Sequence, residues 1–304
     1  MKQCDYIITL KSDYIPSKLK KSFKASLLVH YKFGKCKFSA KVRQSGDWKD
    51  HIKFMNAQVI RSLDVKLEQG NIVNAVRFKL LLPETRNGVN EILASLILRK
   101  SGFISPETFE VQTSINGVDA VMLFQEKAAK ELLEKHSRKE GPIFEGDESL
   151  IWSFKGHEHF ELEPLALSRL VNDKWFKKGV SSEAITINAY EMLQKAYIKF
   201  AYTKLKGSSD FAIFPNNFQD KIFINYHSVL LAMNAQHGLR PHNRKYYFNT
   251  LEWTFEPIYY DGNVDLSLLA PLTEANKLLP YPPDDEFIQL LFSMKKNNEL
   301  FDEF

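Results

Sequence analysis

The sequence predicts an α+β chain in two parts: a β-rich amino-terminal half with one helix, then a mainly helical carboxy-terminal half built round one hairpin. Three observations carry this expectation. Short alternating apolar runs crowd residues 5–126, helical periodicity takes over from Glu163, and an aromatic hairpin signal interrupts the helical part at Tyr246–Tyr260. A chain of 304 residues has ample core-forming material for two lobes, 1–127 and 128–304, acting as one unit. Its last residues, FDEF, give no clear finish to the fold, so the chain is expected to be one part of a longer protein.

Ala25–Tyr31, Cys36–Val42 and Ser62–Leu67 have the length and alternation of strands. Between the last two, Gln44–His51 is a turn whose Ser45 and Gly46 can aim backbone N–H groups at a phosphate. With one glycine and no G-K-[ST] it is not a Walker loop. Val73–Leu82 is a strand closed by Pro83, and Glu84–Gly88 is a loop. Val89–Lys100 is a helix with a cationic last turn and a stop at Gly102. Thr108–Ser114 and Ala120–Gln125 are strands joined through Asn116-Gly117, the strongest hairpin signal in the chain.

A helix over Ala128–His136, a loop over Gly141–Asp147 and a short apolar run over Leu150–Phe154 follow. Helices are then expected over Pro164–Lys174, Ser182–Lys204 and Ile222–Asn234. One or two more fill residues 266–304, divided at Pro280-Tyr281-Pro282-Pro283.

Hydrophobic content of 44% and charged content of 26% are ordinary for a globular protein, and a net charge of +4 is too mild to argue for nucleic acid. The charge is uneven. The first sixty residues are rich in lysine, and the stretch after Leu251 is acidic, so the amino-terminal half would steer phosphate-bearing ligands. Cys4 and Cys36 form no C-x-x-C pair, which excludes a disulfide framework or cysteine zinc site and fits a reducing compartment. No signal-peptide run and no window near eighteen apolar residues occurs. The expectation is a cytoplasmic protein without a membrane span.

The chemistry concentrates in Gln236–Asp265. Asn243 stands just before the aromatic run Tyr246-Tyr247-Phe248, and Asp261 stands just after the run Trp253–Tyr260. A hairpin would bring the two to one end. An amide oxygen beside a carboxylate suits Mg²⁺, which takes few protein oxygens and completes its shell with substrate phosphates. Protein kinases build their metal site on this plan, from a loop of the H-R-D-x-x-x-x-N type and a D-F-G turn after a hairpin. Here Gln236–Asn243 has the look of the loop and Asp261-Gly262-Asn263 of the turn, with Gly238 where the loop would carry its Asp. Strand residue Lys79 and helix residue Glu91 resemble the kinase lysine–glutamate pair that faces nucleotide phosphates. The order of elements is that of a bilobal protein-kinase-like fold.

Several segments together resemble the CotH (spore-coat protein H) kinase-like family over residues 38–266. Lys41-Val42-Arg43 leads into Ser45-Gly46, where the family tends to have an Arg-Gly-Asn-Ser turn. Arg61–Leu67 is similar to its Lys-Lys-Ser-Tyr strand. Arg86-Asn87, Ile115-Asn116-Gly117, Phe124-Gln125-Glu126 and Asn243–Tyr247 are also family-like, and Pro257–Asp261 resembles its Pro-Trp-Asp-x-Asp segment, with Tyr260 in place of the Trp.

The resemblance implies ATP, Mg²⁺ or Mn²⁺, and phosphoryl transfer to a hydroxyl of a protein or saccharide. Asn243 and Asp261 would hold the metal, and His237 is the nearest candidate base for the acceptor. Ser45 and Gly46 would cradle phosphate, Lys66 or Lys79 would contact phosphates, and Glu91 or Glu126 would orient the lysine. Arg240 would hold an acidic segment or the transferred phosphate, and His242 would be structural. Two rivals stand beside this expectation: a nucleotide-binding scaffold without transfer, which Gly238 favours, and a metal-dependent hydrolase using His237, His242 and Asp261.

Overall fold

In a computed structural model the described residues are 14–55, 58–147, 168–207, 213–214 and 220–267. The apolar run at 150–154 and nearly all of the helices expected over 266–304 lie outside them. Antiparallel sheet dominates, with twelve strands and five α-helices among the described residues. The chain divides into two compact units, Met1–Ile92 with Pro106–Lys127, and Leu93–Ser105 with Ala128–Phe304.

The first unit is built on a six-stranded antiparallel sheet. β1 (Phe23–Tyr31), β2 (Gly34–Gln44), β5 (Leu63–Leu67), β6 (Arg77–Leu81), β8 (Val118–Glu126) and β7 (Thr108–Ile115) lie in that spatial order. A smaller ribbon pairs β3 (Ile52–Met55) with β4 (Gln58–Arg61). Alternation places Ala40, Val42, Val65, Phe78 and Phe124 on one face as the core, with the Phe78, Phe124 and Phe109 rings stacked in sequence. The β7–β8 turn takes Asn116 and Gly117 at φ 52° and 85°, the left-handed pair a two-residue hairpin needs. Helix α1 (Val89–Lys100) begins in this unit and continues into the second.

The second unit departs from the expectation. A mainly helical part round an isolated hairpin is replaced by a four-stranded antiparallel sheet, β10 (Ser168–Leu170), β9 (Ile143–Gly146), β11 (Lys245–Asn249) and β12 (Thr254–Ile258). This overturns the bilobal kinase-like fold class. The loop expected at Gly141–Asp147 supplies β9. Of the helix expected over Pro164–Lys174, the described part is β10 followed by a one-turn helix, α3 (Asp173–Phe176).

The physical reason lies in range. β9 and β10 are too short to show periodicity, and pairing far along the chain fixes them: Ser168 with Gly146, and Lys245 with Glu145. Helices α2 (Lys130–Lys135), α4 (Val180–Leu205) and α5 (Asp220–Ala232) complete the unit. Tyr197 and Phe200 of α4 and Phe223 of α5 pack with Phe144, Tyr246, Phe248 and Phe255 of the sheet. No helix among the described residues is long and apolar enough to cross a membrane.

Candidate functional site

In the second unit, the β11–β12 hairpin aligns Lys245 with Ile258 and so sets the chain just before β11 beside the chain just after β12. The segment before it, a 3₁₀ turn at Gln236–Leu239 running on to Asn243, is pinned from below. Leu239 and Tyr259 are fully buried in the cluster of Leu230, Met233 and Val264. The Tyr197 hydroxyl donates to the Pro241 carbonyl at 3.1 Å, and the buried Arg244 donates from Nε to the Leu239 carbonyl.

The loop and the turn after β12 are in direct contact. His237 Nε2 lies 3.9 Å from Asp261 Oδ2. Asn243 is buried, and its Nδ2 donates to the His237 carbonyl at 3.0 Å. That bond fixes the amide, so that Oδ1, the atom an Asn offers a metal, points the other way. Asp261 adopts φ 52°, a left-handed conformation that Asp and Asn tolerate better than other residues with side chains. Arg240 is exposed on the same loop, and its carbonyl accepts from the Asn243 amide at 2.9 Å. The His242 ring meets that of His237 edge to face, 6.2 Å between centres.

Gly238 is buried, and a Cβ there would come within 3.1 Å of the Tyr260 carbonyl oxygen and 3.4 Å of Gly262 Cα. Those are backbone atoms that cannot swing aside. The position where a kinase loop would carry its Asp is crowded by the turn packed against it, which would have to give by a few tenths of an ångström to admit a side chain.

Beneath the loop, Glu145 is gripped by Lys245 and by Arg169. Burial alone would raise the Glu145 carboxyl, but Lys245 and then Arg169 bring it down to about 2. The Lys245 ammonium also lies over the Tyr260 ring, 4.2 Å from its centre, which ties β9 and β11 to the residue before Asp261. His227 of α5 is buried beside Arg244. Burial first, and Arg244 second, lower its pKa to about 3.

An unfolded imidazole titrates near 6.5, so below that pH the unfolded chain gains a proton that the folded chain refuses. Stability from neutral His227 is complete above about pH 6.5 and is lost as pH falls toward 3. Melting temperature should fall through this window, with a slope of up to about 1.4 kcal/mol per pH unit from this group. His227→Phe should flatten that slope. Equal slopes for the two proteins would remove His227 from the account.

The remaining sequence candidates belong to the first unit. Ser45 and Gly46 form a turn closed by the buried His51 ring: a Cβ on Gly46 would fall 1.9 Å from His51 Cδ2, and Ser45 N donates to the Ser62 carbonyl. Lys79 stands between Asp64 and Gln125 in register, and Gln125 Nε2 donates to the fully buried Glu91 at 2.8 Å. Lys79 and Glu91 therefore share Gln125 as a neighbour. Glu126 is buried opposite Phe78, and Lys66 stands between Lys41 and Arg77.

The sequence reading missed Asp64. It accepts from Lys127 at 2.7 Å and from Arg43 at 2.9 Å. Burial would raise this carboxyl; Lys127, then Arg43 and Lys79, more than offset it and hold it below its ordinary value. Burial lowers Lys127 against the opposing pull of Asp64. The available signal was the charge alternation of Leu63–Leu67, which puts Asp64 and Lys66 on one face.

Among the described residues no group of three or more His, Cys, Asp or Glu side chains is placed to hold a metal ion. In comparisons with known proteins, no family model and no curated protein matches this chain.

Proposed function

We propose that the Asn243–Asp261 end of the hairpin binds the phosphates of ATP with a divalent cation and passes a phosphoryl group to a hydroxyl of a protein or saccharide. One observation carries the reading. A buried amide whose nitrogen is bonded to the His237 carbonyl, an imidazole and a carboxylate follow one another at one end of β11–β12, held by that bond and the 3.9 Å His237–Asp261 approach. Both oxygen donors are hard and only one is charged, which fits Mg²⁺ or Mn²⁺ completing its shell with phosphate oxygens. A cation held there would neutralise phosphate charge as it redistributes.

The chain's own residues then divide the remaining work. Asn243 and Asp261 would hold the cation, and through it the phosphates. His237 Nε2 takes the proton of the acceptor hydroxyl as its oxygen bonds to the γ-phosphorus and ADP leaves with the broken P–O electrons. Asp261 steadies the imidazolium that results. The order of motifs that resembles the CotH kinase-like family supports the same chemistry.

The glycine at 238, crowded by the turn after β12, favours one second reading, a scaffold that binds nucleotide and transfers nothing. The test is incubation of the chain with γ-labelled ATP and Mg²⁺ or Mn²⁺, with cell extract separated into protein and glycan fractions. Label should appear in one fraction and require the metal. Calorimetric binding of ATP without labelled product would select the scaffold, and no ATP binding would end both readings.

A further inference from the structure

From Phe23 to Gln44, the β1–β2 hairpin holds Lys24, Lys32, Lys35, Lys37, Lys41 and Arg43, and no Asp or Glu. Register sets Lys24 opposite Lys41, Lys41 opposite Lys66 and Lys66 opposite Arg77. Four cations thus cross four strands in one row, on the face turned away from the Val42–Val65–Phe78 core. Neighbouring strands lie about 4.8 Å apart, and like charges directly opposite destabilise a sheet. Asp64, the carboxylate of β5 on that face, is committed to Arg43 and Lys127. At the far edge the same face carries Glu110 and Asp119, so its field runs from basic at β1 to acidic at β7.

Lysines on an edge strand also guard against stray strand pairing. Guarding does not call for exposed large apolar side chains, and this hairpin has three, one of which, Phe23, lies at its start on the other face. Leu28 is 59% exposed on the lysine face, opposite Lys37, and Phe33 is 83% exposed at the tip, stacked on Tyr31 at 4.8 Å. Between its lysines the face presents Ser26, Leu28, His30 and Ser39, with no Phe, Tyr or Trp and a single imidazole as a base-stacking ring. A basic face ending in a protruding aromatic is complementary to acidic headgroups over hydrocarbon.

We propose that the β1–β2 hairpin docks this protein on an anionic lipid bilayer, with Phe33 and Leu28 entering the headgroup region. Lys24, Lys32, Lys35, Lys37 and Lys41 would lie over acidic headgroups. The contact is peripheral and reversible, and it weakens as salt rises.

The probe is sedimentation with vesicles of phosphatidylcholine alone and with about a third phosphatidylserine. The protein should partition to the acidic vesicles and not to the neutral ones. Each lysine near such a surface is worth about five-fold in partition, so Lys35→Gln with Lys37→Gln should lower it about twenty-five-fold. Phe33→Ser should lower it about ten-fold; its ring is in solvent, so melting temperature should hold and a lost fold cannot explain the change. No partition to acidic vesicles, or an unchanged partition for Phe33→Ser, would overturn the proposal. So would tight binding to heparin or an oligonucleotide by a protein that ignores vesicles, which would make the row a track for a soluble polyanion. A dimer that forms through Phe33 without vesicle binding would likewise count against it.

Discussion

Asp261→Asn should remove the metal-dependent part of ATP binding and lower phosphoryl transfer by roughly a hundred-fold or more, while melting temperature stays near that of the wild type. The substitution suits the site because it separates charge from shape. Asp261 holds φ 52°, and Asn is the other common side chain that accepts this backbone, so the turn keeps its conformation. What disappears is one negative charge, 3.9 Å from His237. Without a cation, a carboxylate beside ATP phosphates repels them, and the mutant should bind ATP in chelator as well as the wild type or slightly better. With Mg²⁺ the sign reverses and the wild type should gain affinity that the mutant does not. Calorimetric titration of both proteins, each with Mg²⁺ and with chelator, reads this directly. The same metal dependence in both would remove Asp261 from the site and, with it, the main support for phosphotransfer.

How far the sequence disclosed this arrangement depended on the range of the contacts involved. β1, β2, β7, β8 and α1 were legible because their signals are local: alternation, an Asn-Gly turn, a cationic last turn before glycine. That the segments holding Asn243 and Asp261 lie side by side was legible for a related reason, since a hairpin's two flanks must meet wherever its strands pair. β9 and β10 were not, because four-residue and three-residue strands carry no period and exist only through their partners. That is how a four-stranded sheet came to stand where a lone hairpin, a loop and the start of a helix were expected.

The electrostatic supports were hidden in the same way. Asp64 finds Arg43 and Lys127 across 21 and 63 residues, and Glu145 reaches Lys245 across 100. Gly238 was legible as a departure from the kinase loop, but its cause was not. Only the packed turn reveals that the Tyr260 carbonyl comes within 3.1 Å of where a Cβ would sit.

Gly146→Ala is the second large effect, and it tests whether the sheet of the second unit is what holds the site. Gly146 ends β9 opposite Ser168, and its amide donates to the Arg244 carbonyl at 3.1 Å, directly before β11. A methyl group there would sit 2.1 Å from the Pro241 carbonyl oxygen and 2.6 Å from His242 Cα. Both are backbone atoms of the candidate loop, so neither can rotate away. Either β9 must part from β11 or the Pro241–Asn243 segment must lift off the sheet. Parting the strands would strain the Glu145–Lys245 ion pair; lifting the loop would break the Tyr197–Pro241 bond and carry Asn243 away from Asp261. Overpacking against rigid backbone belongs at the upper end of such costs, about 3 kcal/mol or more, or about 10 °C in melting temperature for a unit of this size. The mutant is therefore expected to melt early and, at a temperature where it remains folded, to bind ATP with little response to Mg²⁺. A melting temperature within a degree or two of wild type would mean the close approach relaxes without consequence. In that event the loop is not seated on β9, and the geometry that joins Asn243 to Asp261 would need a different support.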